Sequence, residues 1–251
     1  MSATDVISIE GLRIDCVVGV YPHERDRPQP LDVDVRLHLD TRRAGESERL
    51  AHTIDYTATA NQIAFLLHSC RFYMLETAAH VLCRYLLAPP TPGEKRARIQ
   101  EVSLRLRKPY ALAGHGVPSL EVKRDAREVV LEREVKPFGT VDIVAETRRL
   151  GVYRLNIGPG RGIPLHEHRK MRESEFVLGR GLLCQEKAVG TGATFRWPHG
   201  AAHRWDNPTS DWQSVLCVDS PPFIPSDEIE VGGEPAKVRP QAPFIPPTVG
   251  A

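Results

Sequence analysis

No run of about 18 apolar residues interrupts the chain, so the sequence offers no membrane-spanning helix. Charge of one sign is not in excess either. Lysine and arginine number 33, aspartate and glutamate 32, and the formal net charge is +1. That balance sets up no global field to recruit nucleic acid or an anionic membrane. The opening MSATDVISIEG lacks a basic stretch followed by an apolar one, so no secretory signal is expected. Cys16, Cys70, Cys83, Cys184 and Cys217 form no close pair and no CxxC. Such a scattered, odd set reads as reduced thiols of a cytoplasmic protein, packed as small core hydrophobes. What remains is a globular composition, 41% hydrophobic and 26% charged over 251 residues, with room for one large or two ordinary domains and no internal repeat.

The first half alternates between strand and helix patterns. Residues 5–18 run apolar or alternate (Val6, Ile7, Ile9, Leu12, Ile14, Val17, Val18), which predicts a strand. YPHERDRPQP reads as a proline-rich polar loop. LDVDVRLHL, 31–39, alternates strictly, with Leu31, Val33, Val35, Leu37 and Leu39 on one face, as a half-buried strand does. Asp55 is placed to cap a helix over about 56–70 that turns Ile63, Leu66, Leu67 and Cys70 inward. A second helix over about 73–88 stops before PPTPG. In it Met74, Leu75, Ala78, Ala79 and Leu82 repeat at helical spacing and predict a core-facing stripe. Glu76 stands one step from that stripe, where a carboxylate is costly unless a basic side chain or a ligand answers it. EVSLRLRK and SLEVKRD alternate again, giving the order strand, strand, helix, helix, strand, strand.

From about 129 the texture changes. Short apolar runs (VDIVAET, GVYRLNIGPGRG, SEFVLGRGLLC, GATFRWPHG, QSVLCVD) are divided by Gly and Pro turns, without an amphipathic helix, and predict an all-β sandwich or barrel. REVVLEREVKPFG reads as the junction. The tail from about 221, with Pro at 221, 222, 225, 235, 240, 243, 246 and 247, reads as extended and partly loose.

Four polar positions invite a chemical reading: Glu24 in the first loop, Tyr56 and Glu76 at the starts of the two helices, and Lys108 at a strand end. Each alone has an ordinary explanation, whether a solvated loop, half-buried packing, a carboxylate favoured by the helix dipole, or a lysine pointing to water. Their surroundings change the weighting. GLRIDCVVGVYPHERDRPQPLDVDV, TIDYTA, RFYMLETAAHVLCRYLL and VSLRLRKPYAL, in order and at the expected spacing over about 5–125, resemble the dihydroneopterin aldolase family. The resemblance implies an α+β tunnelling fold, a four-stranded antiparallel sheet with two helices between its second and third strands. It implies retro-aldol cleavage of 7,8-dihydroneopterin without a cofactor. Lys108 would move protons through a water, Tyr56 would come from a neighbouring subunit, and Glu24 would hold the lysine or the water. Glu76 would take paired hydrogen bonds from the pterin ring, helped by the backbone at Leu75, with Thr53 and Gln29 lining the pocket. It also implies a homo-oligomer, a tetramer or an octamer. Epimerases of dihydroneopterin or its triphosphate share this fold and the same first step, and Arg25 and Arg27 could meet a triphosphate or simply be solvated.

In the second half, GPGRGIPLHEHRKMRESEF places His166 and His168 on alternate strand positions, so both imidazoles can face one ion. GATFRWPHGAAHRWDN adds His203. The spacings Gly160-x5-His166-x-His168-x4-Glu173 and Gly192-x5-Pro198-x-Gly200-x2-His203-x3-Asn207 resemble the two motifs of the cupin family. One glycine is displaced, to Gly181 with Arg180 in its place, and this makes Glu175 a rival to Glu173. The resemblance implies a β-barrel holding a divalent transition metal on His166, His168, Glu173 and His203, with Fe, Mn, Ni, Zn and Cu all admissible. His199 and His23 read as surface histidines. The sequence thus predicts a cytoplasmic aldolase module over 1–127 joined to a cupin module over 128–251, acting on a small pterin, with no nucleic-acid or membrane partner. The alternatives are an epimerase, or a cupin that carries the activity or senses a ligand while the first half is a scaffold.

Overall fold

The computed structural model describes residues 5–245. The chain forms two compact units. One comprises the residues up to Pro90 together with Lys95–Val130, the other Thr91–Glu94 and the chain from Leu131 onward. Among the described residues no helix is long and apolar enough to cross a membrane.

The first unit runs β1 (Asp5–Cys16), α1 (Pro22–Asp26), β2 (Gln29–Leu39), α2 (Arg42–Ser47), a 3-10 turn at Leu50–His52, α3 (Tyr56–Cys70), α4 (Leu75–Leu87), β3 (Glu101–Arg107) and β4 (Ser119–Asp125). Its antiparallel sheet has the order β1-β2-β3-β4. The alternation of β2 does what its pattern predicts: Leu31, Val33, Val35, Leu37 and Leu39 are all 0% exposed. Register sets Val33 against Leu106, Val35 against Leu104 and Leu37 against Val102, and this continuous apolar face packs under α3 and α4. Burying each such side chain contributes about 1.5–3 kcal/mol. β1 is bulged between Ile9 and Leu12, where Gly11 adopts φ +67° and donates its N–H to Asp34. Asp55 caps α3 by accepting from the Ala58 N–H at 2.9 Å.

Three expectations are corrected here. The polar loop at 21–30 contains a helical turn, α1, opened by Pro22 at the first helical position, where a proline lacks nothing. α4 begins at Leu75, so Met74 is its N-cap, 48% exposed instead of core-facing. Glu76, in the first turn, is exposed too, so its charge is solvated within one chain and not buried beside the stripe.

Among its described residues the second unit is all-β apart from one 3-10 turn at Pro225–Asp227: β5 (Glu132–Lys136), β6 (Gly139–Glu146), β7 (Gly151–Ile157), β8 (Gly162–Glu167), β9 (Arg172–Val177), β10 (Leu183–Cys184), β11 (Lys187–Ala188), β12 (Thr194–Trp197), β13 (His203–Asp206), β14 (Gln213–Ser220) and β15 (Ile229–Glu230). They form two antiparallel sheets, β11-β10-β13-β8-β15 and β12-β9-β14-β7-β6-β5. Ile157, Ile163, Val177, Phe195, Trp205 and Val215 pack between them. The segment read as a junction contributes β5, hydrogen-bonded to β6. Within the described residues the tail is tied down at several points. β15 pairs with β8, Ala236 donates to the Ala202 carbonyl, and Gln241 exchanges hydrogen bonds with Thr194. Pro246 and Pro247 lie outside the described residues. All five cysteines are free and buried.

Candidate functional site

Lys108 follows directly on β3, and its backbone N–H is fixed to the Pro118 carbonyl at 3.0 Å. Its side chain does not point to water. The residue is 8% exposed, and Nζ donates to Glu24 Oε1 at 2.5 Å. Glu24 sits in α1 and its other oxygen accepts from the Tyr21 N–H at 3.0 Å, so both oxygens are engaged. Burial pushes the Glu24 carboxyl upward, but the Lys108 hydrogen bond and the backbone donors outweigh it, and the net shift is downward. Gly19, at φ +147°, leaves its Cβ position to the Glu24 carboxylate; any side chain there would collide with it.

Arg25 holds this loop in place. Its guanidinium donates to the carbonyls of Gly19 (3.2 Å), Phe72 (2.7 Å) and Arg71 (2.6 Å) and lies 3.9 Å over the Tyr73 ring. Arg71 returns a bond to the Arg25 carbonyl at 2.8 Å, and Gly19 N–H bonds Phe72. The loop carrying Glu24 is thereby tied to the segment just ahead of α4, which carries Glu76. Arg25 is therefore not simply a solvated charge.

The other positions are arranged less tightly. Met74 supplies no side-chain cap, so α4 presents its first backbone N–H groups beside Glu76 and Leu75. Tyr56 opens α3 and is 64% exposed. Thr53 ends the 3-10 turn, half-buried, with its N–H on Leu50 and its carbonyl on Ala97. Gln29 opens β2 and donates to the Val18 carbonyl at 2.7 Å.

In the second unit His166, His168, Glu173 and His203 are all buried and converge, each offering a ligand atom within 4.8 Å of the others. β8 carries His166 and leads into His168; β9 carries Glu173 and β13 His203. Each imidazole sets Nδ1 against a backbone carbonyl: His166 on Pro164 (2.8 Å), His168 on Asp227 (3.0 Å), His203 on Ala201 (3.1 Å). A proton on Nδ1 satisfies those carbonyls and turns Nε2 inward, the arrangement of metal-ligating histidines. Glu173 Oε2 lies 2.8 Å from His203 Nε2 and 3.2 Å from His168 Nε2. Yet neither Glu173 Oε2 nor His203 Nε2 has a hydrogen-bond partner, although both are buried. Two buried atoms 2.8 Å apart can share a proton, which is how Glu173 lifts His203 against burial, or a common third atom between them. Three imidazole nitrogens and one carboxylate oxygen fit a divalent transition metal.

Glu175 is not part of this set. Both of its oxygens accept from the Trp205 indole (2.8 and 2.9 Å), and one accepts from Trp197 at 2.5 Å. Burial first, and the Glu173 charge second, push its carboxyl up to about 7. Burial and then Glu173 also push Asp219 well upward. For Glu173 itself burial is outweighed by His203 and His168, and the carboxyl sits well below its ordinary range. Burial lowers His166 to about 4, whereas Glu173 overcomes burial at His168 and lifts it to about 9.

Three residues beside this cluster were not among the site residues read from the sequence. Asp227, from the tail, accepts from the backbone N–H groups of Arg169, Lys170 and Met171 while its carbonyl orients His168. No local signal marks it, because the contact spans 59 residues. Cys217 and Asp219 stand opposite Glu175 and Glu173 in the β14–β9 register. An aspartate at an inward position of SVLCVD was a usable sign.

The dihydroneopterin aldolase family model matches residues 7–124. A dihydroneopterin aldolase of Streptomyces coelicolor is 30% identical over 107 residues, 43% of this chain and 84% of that protein. A solved structure of the Escherichia coli dihydroneopterin aldolase in complex with neopterin is 27% identical, with a TM-score of 0.43, over 48% of this chain and 98% of that one. For the second unit, a sugar phosphate isomerase from a cupin superfamily of Silicibacter pomeroyi aligns at 18% identity and a TM-score of 0.32, over 36% of this chain and 71% of that one. Through its first unit, the chain belongs to the dihydroneopterin aldolase family.

Proposed function

We propose that the first unit cleaves 7,8-dihydroneopterin by a retro-aldol reaction to 6-hydroxymethyl-7,8-dihydropterin and glycolaldehyde, a step of folate biosynthesis. We further propose that the second unit holds a divalent transition metal. The observation that carries the first part is the nearly buried Lys108–Glu24 pair on a loop pinned to the start of α4. In this reading Glu76 and the free N–H at Leu75 hold the pterin ring, with Thr53 and Gln29 lining its pocket. Lys108, through a water, takes the proton of the 2′-hydroxyl as the C1′–C2′ bond breaks. The electron pair passes into the substrate's own N5=C6 imine, and a proton then returns to C1′. Tyr56, exposed at the head of α3, serves that return in the pocket of a neighbouring copy, so assembly into a tetramer or octamer is part of function. Glu24 limits where the lysine can go.

In the second unit His166, His168, Glu173 and His203 would hold the ion, which when bound supplies Lewis acidity to an oxygen ligand. Trp197 and Trp205 keep Glu175 out of the ligand set.

The test incubates the full chain with 7,8-dihydroneopterin, with and without EDTA, and separates the products. Glycolaldehyde and 6-hydroxymethyl-7,8-dihydropterin are expected in both samples and are absent with Lys108→Met. A monapterin-type product without cleavage would make the protein an epimerase. No conversion by the unmodified chain would overturn the first part, and no metal retained after dialysis against excess Mn2+ or Zn2+ the second.

A further inference from the structure

The second unit encloses a cavity of about 320 Å³ above the histidine cluster, the small end of the range for ligand pockets. Its lining is of three kinds. Glu173 and Asp219 line it together with His166 and His168. Phe138, Val141, Ile143, Leu155, Ile163 and Phe223 form an apolar belt. At the mouth stand Glu134, Glu146, Glu228 and Glu230, all exposed, with Lys136 as the single lysine or arginine among the described lining residues. Lys136 is bound to Glu134 at 2.7 Å. Glu146 accepts from the Tyr153 hydroxyl at 2.5 Å. Neither Glu228 nor Glu230 forms an ion pair among the described residues. With four carboxylates against one lysine, the mouth keeps a net negative charge. Glu173, 7% exposed, also lines the cavity and has an oxygen with no hydrogen-bond partner among the described residues.

We propose that this cavity takes a small organic cation, an amine on an apolar body, and turns anions such as phosphomonoesters away. The body fills the belt and the ammonium sits among the mouth carboxylates. An ammonium already rests against this aromatic surface, since Lys136 Nζ lies 5.8 Å from the Phe223 ring centroid. An anionic end group would instead be desolvated against unpaired carboxylates of like sign. The inference goes beyond the metal reading and does not require it, because the mouth carries the same charge whether or not an ion occupies the histidine cluster.

The test uses three molecules of one skeleton and different charge: 2-phenylethylamine, 2-phenylethanol and phenylacetate. Each is titrated calorimetrically into the full chain, in Mn2+-loaded and EDTA-treated forms, at low ionic strength. The amine is expected to bind at least tenfold more tightly than phenylacetate in both forms, with the alcohol between. The gap should close in the Glu228→Gln/Glu230→Gln double variant, whose substitutions are exposed and conserve shape. Phenylacetate matching the amine in either form, or no binding of any of the three at millimolar concentration, would overturn the proposal. Retained Mn2+ is measured separately by atomic absorption, so a failure of the metal reading is seen on its own.

Discussion

Replacing Arg25 by lysine keeps the charge and removes the fork. The guanidinium reaches three carbonyls on two segments and stacks on Tyr73; an ammonium is a point charge that can keep about one of those bonds. A hydrogen bond from a charged donor contributes about 1.5–3 kcal/mol. Two lost bonds, discounted for partial exposure and relaxation, come to about 3 kcal/mol. For a chain of this size that lowers the melting transition by about 6–12 °C. The loss falls on the loop that carries Glu24, and a catalytic group displaced by about 1 Å can cost about 100-fold in rate. We therefore expect Arg25→Lys to lower kcat for dihydroneopterin cleavage by about 10- to 100-fold, with KM moving less. Steady-state kinetics and differential scanning calorimetry check both numbers. A variant with the expected loss of stability but kcat within about twofold of the parent would refute the reasoning. It would show that the clamp holds the fold without aiming Glu24.

Lys108→Met should abolish cleavage and destabilise the first unit by about 3–5 kcal/mol, because it leaves Glu24 without its partner in a site where both side chains are only 10–11% exposed; adding Glu24→Gln should restore stability but not activity, as a denaturation cycle would show. Because the folded-state value of Glu24 is depressed, the pair's contribution is present above the ordinary carboxylate value and lost as pH falls through the lowered one, so Lys108→Met should flatten acid unfolding of this unit. In the metal-free chain His168 titrates near 9 and His166 near 4. The stabilisation that His168 draws from Glu173 is therefore complete below its ordinary value and lost as pH rises through about 9. Metal binding at pH 7 must then release at least one proton, visible as a buffer-dependent binding enthalpy, and affinity should rise with pH up to that value. Glu173→Gln should weaken Mn2+ or Zn2+ binding far more than Glu175→Gln; equal losses would mean the ligand set is wrong.

The strands and helices of the first unit were legible because β2 alternates without a fault and Asp55 stands where a helix needs its cap. His166 and His168 were legible together from their alternate positions along one strand, whereas Glu173 and His203 came only with the resemblance to the cupin motifs. The competition with Glu175 was not, because only the fold shows two indoles already bonded to it. Arg25 was misread for a similar reason: its partners are backbone carbonyls at 71 and 72, and carbonyls leave no trace in a sequence. α1 was missed because a single helical turn carries too few residues to show a period. Glu76 posed a burial problem only while Met74 was placed in the core.

The proline-rich tail bears on solubility. A strand at the border of a sheet offers a row of open N–H and C=O groups to any other chain. Here β15 lies along β8, and the Gln241 bridge lies along β12, so the tail covers one border of each sheet. Pro240 and Pro243 flank the bridge and have no N–H to extend the ladder further. The composition that looks unstructured is suited to ending a sheet: it pairs on one side and offers little for a second molecule to pair with. A chain cut at about residue 220 would expose both borders and lose Asp227 as well. It should self-associate through its β-strands before it loses its core.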